Sequence, residues 1–145
     1  MTSVPFRLIG DLRMDRVMPA WAEQFPPYDT VVGYSDLGYA FLLSSRTGEY
    51  GIFDPYSPGV KDYGVFTEVT EFVSQVLFDP NVITYVLQPG HVAEIRRRLG
   101  PLDPDEVYIA TPYPFLGGSE SADSYQKGGV WVFFDLVAQA HEQDS

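Results

Sequence analysis

Apolar and polar positions change their period along this chain, and the changes mark its elements. Leu37-Gly-Tyr-Ala-Phe-Leu-Leu43 has the aromatic and aliphatic content of a strand. Ser44-Ser-Arg-Thr-Gly48 is a turn, with glycine free to take positive φ. Glu49-Tyr-Gly-Ile-Phe53 then alternates, as the returning strand of a hairpin should. After a loop over Asp54–Gly59, residues Asp62 to Phe66 add a short third strand. The period then changes. Val69, Phe72, Val73, Val76 and Leu77 fall on one helical face, with Thr67 as the expected N-cap and Glu68 and Glu71 in the first turn. Asp79-Pro80 ends this helix, and periodicity leaves Asn81–Leu87 open between strand and irregular chain.

A second helix is expected from Gly90 to Leu99, with Val92, Ile95 and Leu99 inward and Gly100-Pro101 as its stop. Glu106-Val-Tyr-Ile-Ala110 reads as a strand, Thr111–Lys127 as a long loop, and Gly129–His141 as the last helix, its core face Val130, Phe133, Phe134 and Val137. Residues 1–18 fit neither period. A short helix is expected near Pro19, burying Trp21, Ala22 and Phe25 and stopped by Pro26-Pro27. The expected division is an N-terminal lead over 1–33 and an α+β domain over 34–145, one compact unit. Its antiparallel sheet is packed on one face by helices.

Composition narrows the chemistry. The 145 residues suit one domain, and the absence of cysteine excludes a disulfide scaffold, a cysteine nucleophile and thiolate metal sites. Nine Lys+Arg against twenty Asp+Glu give a net charge of −11, which repels phosphate backbones and suits a basic partner. Direct nucleic-acid binding is therefore not expected. The N-terminal segment has no basic region or long apolar run, and no stretch approaches the ~20 apolar residues of a membrane span, so a cytoplasmic location is expected.

Motifs for catalysis are weak. His91 and His141 lack metal-type spacing, and a histidine near a helix end can simply complement the dipole. Gly117-Gly-Ser-Glu-Ser121 is neither a nucleophile elbow nor a phosphate loop. Carboxylates pair at Asp103/Asp105/Glu106, Glu120/Asp123 and Asp11/Asp15, as chance allows in an acidic chain, and no EF-hand loop is present. Arg96-Arg97-Arg98 is the one basic run and suits a helix C-terminus. No catalytic residue, metal or cofactor is assigned. The ten tyrosines stand out; Tyr28, Tyr34, Tyr56, Tyr63, Tyr113 and Tyr125 lie in polar stretches, where such rings cap a core or serve an interface.

The segment Gly100-Pro-Leu-Asp-Pro-Asp-Glu-Val-Tyr108, then Pro112, Pro114, Leu116-Gly-Gly-Ser-Glu-Ser121 and Leu136-Val-Ala-Gln139, resembles the C-terminal domain of immunity proteins against type VI secretion DNase toxins. Leu37–Leu43, Gly48 and Tyr50–Asp54 resemble its first hairpin, and Thr67-Glu-Val-Thr-Glu-Phe72 its helix. The resemblance spans roughly residues 34–140, and its general layout is similar to the wider SUKH immunity group. It implies a protein that binds and neutralises a cognate toxin, a nuclease, without chemistry of its own. The candidate contacts are Asp36, Glu49, Asp54, Tyr56, Asp62, Glu120 and Asp123, the carboxylates standing in for phosphates and Tyr56 as anchor. The competing readings are a small hydrolase using Asp103 and Glu106 near Tyr108, and a non-enzymatic adaptor for another protein.

Overall fold

A computed structural model describes residues 4–144; the first three residues of the expected N-terminal lead, and Ser145, lie outside the described residues. Five strands, β1 (Phe6–Arg13), β2 (Thr30–Ser35), β3 (Ala40–Leu43), β4 (Glu49–Asp54) and β5 (Gly59–Val65), form an antiparallel meander in the order β1-β2-β3-β4-β5. The predicted hairpin is β3–β4, with Ala40 opposite Phe53 and Leu43 opposite Tyr50. Its first strand is shorter than expected. Leu37 and Gly38 belong to the turn after β2, where Gly38 N–H donates to the Ser35 carbonyl. The third strand is longer than expected and begins at Gly59. Position 33/34, the expected division, falls inside β2, and β1 is bonded to that strand.

The N-terminal helix expected near Pro19 is not helical. A single turn, α1 (Met14–Val17), precedes it, and residues 19–27 make successive turns. The bonds here span three residues rather than four, as from Ala22 N–H to the Pro19 carbonyl and Gln24 N–H to the Trp21 carbonyl, yet Trp21 is still buried, its indole N–H donating to the Phe134 carbonyl at 2.9 Å.

After β5, α2 (Val69–Phe72) widens into a π turn over Val73–Leu77, closed by a bond from Phe78 N–H to the Val73 carbonyl. The cap lies at Glu68 rather than Thr67, whose hydroxyl instead donates to the Glu71 carboxylate at 2.7 Å. The undecided stretch 81–87 is helical. Asp79 caps α3 (Pro80–Val82) by accepting from Asn81 N–H at 2.9 Å, and a second π turn follows over Ile83–Leu87. Helix α4 (Pro89–Leu99) and strand β6 (Glu106–Ala110) match expectation. The long loop does not run unbroken to Lys127: it contains β7 (Tyr125–Gly129), paired with β6, and leads into α5 (Val130–Asp144).

The architecture is α+β, and helices cover both faces of the large sheet rather than one. Strand alternation explains it. Val31, Tyr34, Ala40, Leu42 and Phe53 face Phe133, Phe134 and Val137 of α5 together with Met14, Met18 and Trp21. Val32, Phe41, Tyr50 and Ile52 face the other way, onto Phe72, Val76, Leu77, Val82 and Leu87. A third cluster joins Leu37 to Val92 and Ile95 of α4 and to Tyr108, Ala110 and Tyr125 of the small sheet. That places α4, β6 and β7 at the end of the large sheet where β2 ends and β3 begins.

Candidate functional site

The meander sorts the seven candidate residues by position. Asp36 follows β2, Asp54 ends β4, and Tyr56 stands in the loop to β5, so all three lie at one end of the sheet. Glu49 opens β4 at the opposite end, and Asp62 lies midway along β5, opposite Gly51. Glu120 and Asp123 are exposed in the segment before β7. One contiguous patch of seven is therefore not formed.

What does assemble is a group of carboxylates and tyrosines at the β3-start, β4-end edge. Asp54 accepts the N–H groups of Tyr56 (2.9 Å) and Ser57 (3.3 Å), which fixes the loop. Burial nevertheless raises its carboxyl above the ordinary range, against those two bonds and the charge of His141. Tyr39, first residue before β3, is half-buried; burial raises its hydroxyl, and the charges of Asp54 and Glu120 add to the effect. Tyr125 is pushed up to about 12 by burial and then by Glu120. Glu120 thus shares this end with Asp54, Tyr39 and Tyr125. His91 meets the Tyr125 hydroxyl at 3.4 Å, with its ring edge-on to the tyrosine.

Tyr56 joins this group in place but with its polar tip engaged. Its hydroxyl accepts Ala110 N–H at 3.0 Å, and its ring packs on Tyr113 and Phe133. Burial raises that hydroxyl far above its ordinary range, with the Ala110 bond opposing. The residue ties the β4–β5 loop to β6. Most of the other tyrosines also cap the core: Tyr28, Tyr34 and Tyr125 are buried, and Tyr63 and Tyr113 are half-buried. The tyrosine most exposed among the described residues is Tyr85, 72% exposed on the second π turn, with Phe78 also at the surface. Its position in a stretch without clear periodicity gave no sequence signal for it.

The remaining candidates have other surroundings. Asp36 is half-buried, and its carboxyl is raised to about 6 by burial, with Arg7 and Arg96 opposing. Its backbone carbonyl accepts Tyr108 N–H at 2.8 Å, so this turn carries the small sheet. For Asp62, burial would raise the carboxyl, but the Tyr28 hydroxyl and Gly64 N–H hold it below the ordinary range, with Glu49 beside it. Asp123 accepts the Ser121 hydroxyl at 2.6 Å, which lowers its carboxyl. The hydrolase pair is occupied differently. Glu106 accepts Asp103 N–H at 2.8 Å to close a turn, and the Tyr108 hydroxyl donates to the Gly100 carbonyl at 2.6 Å.

Among the described residues, no group of histidine and acidic side chains is arranged to hold a metal ion, and no helix is long and apolar enough to cross a membrane. Residues 67–141 match the family described as T6SS immunity protein Tdi1, C-terminal. No curated protein sequence matches the chain. Among solved structures, the crystal structure of Atu4351 from Agrobacterium tumefaciens is similar, with a TM-score of 0.62 at 14% identity, over 94% of this chain and 67% of that one. At that identity the likeness concerns the fold.

Proposed function

This chain belongs to the T6SS immunity protein Tdi1 C-terminal family, and from that premise we propose that it neutralises a cognate toxin by binding it. The toxin in this reading is a nuclease, and the chain covers its basic, phosphate-binding surface. The observation that carries the reading is the end of the sheet where Asp54 and Glu120 stand among Tyr39 and Tyr125, in a chain of net charge −11. A nuclease cleft concentrates positive potential to hold phosphates. An acidic surface enters such a field with steered, fast association. Nothing in this mode calls for a cofactor or for turnover, and the site of action is the cytoplasm, where a nuclease meets its substrate.

The hydrolase reading finds less support, because Glu106 and Tyr108 spend their polar atoms on backbone groups. The adaptor reading shares the surface and differs in the partner.

Co-expression separates them. The toxin from the adjacent reading frame, produced in cells with this chain, is expected to permit growth. With Glu120→Lys and Asp123→Lys combined, growth should fall while the chain remains soluble; both side chains are exposed, so the fold tolerates the change. Growth arrest despite abundant wild-type chain counts against the proposal.

A further inference from the structure

Among the described residues, the outer edge of β5 has no strand beside it, because β5 stands last in the sheet order. Along that edge lies the helical layer of α2, α3 and their π turns. Two clefts of about 600 and 410 Å³ meet between them and share Lys61, Tyr63, Tyr85 and Val86, so they form one groove running beside the strand. Lys61 lies opposite Ile52, which places its side chain on the helical side of the sheet, and its ammonium sits 5.2 Å from the centre of the Tyr63 ring. Asp54 stands at one end of the groove and Asp79 at the other. Glu120 adds its charge near Tyr39, which also lines the Asp54 end.

We propose that this groove receives an extended, basic segment of the toxin, which adds to the sheet as a strand beside β5. The inference rests on the reading of the chain as a toxin-binding protein and names where and how it binds. A groove between an unpaired strand edge and a helical wall is the geometry in which extended peptides add to a sheet. Main-chain hydrogen bonds supply affinity there, and alternate side-chain pockets supply selectivity. Charge selects a basic occupant: the carboxylates of Asp54, Asp62 and Asp79 line the groove against one lysine, within a strongly acidic chain. Tyr85, mostly exposed on the helical wall and lining both clefts, is the anchor that the docked segment covers.

The test uses a catalytically inactive form of the toxin from the adjacent reading frame, with amide hydrogen exchange and affinity as readouts. Protection on complex formation is expected over residues 59–65 and 79–86. Tyr85→Ala should weaken binding roughly tenfold or more. Asp79→Asn keeps the cap acceptor for Asn81 and removes only the charge, so it should weaken binding several-fold. Lys61→Glu supplies the decisive sign: a basic occupant binds tighter, an acidic one weaker. Toxin bound with protection elsewhere, or with Lys61→Glu weakening the complex, overturns this inference and leaves the immunity function standing. A wild-type chain that does not bind the toxin overturns both.

Discussion

Gly38 holds φ +88°, and a Cβ built there would lie 2.7 Å from Cε2 of Phe133 in the core. The turn after β2 therefore needs glycine twice over, for its left-handed backbone and for the close approach of α5. Gly38→Ala is expected to cost on the order of 2–4 kcal/mol, read as a lowered midpoint in urea. Next to it, Asp36 yields a pH effect. Burial lifts its carboxyl from 3.8 to about 6. The folded chain then binds more protons than the unfolded one between those values. The stability that this carboxyl contributes is fullest below about pH 4 and is lost as pH rises through 6. Asp36→Asn should flatten that decline and raise stability at pH 7 by on the order of 1–2 kcal/mol, part of the shift being screened by solvent. Thermal melts from pH 4 to pH 8 check it; identical slopes in both chains would contradict the assignment. Residue roles were the least legible level. Sequence marks Tyr56 as an available aromatic beside an acidic loop, but whether a tyrosine caps a core or faces a partner depends on a strand register that only pairing reveals.

The elements that sequence shows clearly are those whose own pattern is complete. The β3–β4 hairpin, α4, β6 and α5 each carry a full apolar face and a stop signal. The strands β1, β2 and β7 do not. In β1 the alternation is broken by Gly10 and Asp11, as suits an edge strand with bulged pairing between Leu8 and Leu12. In β7 the sequence Tyr-Gln-Lys-Gly-Gly has no apolar alternation at all, and its pairing with β6 defines it. The sequence after Asp79 suits strand and helix equally, through β-branched Val82 and Ile83, and packing on the sheet decides for helix. That stretch covers the second face together with α2 and the π turn after it. Leu77, fully buried between α2 and the sheet, is expected to show its weight: Leu77→Ala should cost about 2–5 kcal/mol by equilibrium unfolding. A loss below 1 kcal/mol would mean that this helical layer is loosely held.

Across the whole molecule, net charge was legible from composition and its placement was not. Glu49 and Asp62 turned out to neighbour Tyr28, away from the Asp54–Glu120 end, because β4 runs the length of the sheet between them. The proposed binding surface is legible only at the scale of the fold, which sets the strand ends, the segment before β7 and the edge of β5. The central claim, an acidic surface that covers a basic toxin, is tested most directly by titrating inactive toxin with this chain at about 50 mM and about 200 mM salt. Binding should weaken at least tenfold at the higher salt, and the combined Glu120→Lys and Asp123→Lys chain should bind more weakly with a shallower salt dependence. Affinity indifferent to both salt and charge reversal would contradict it.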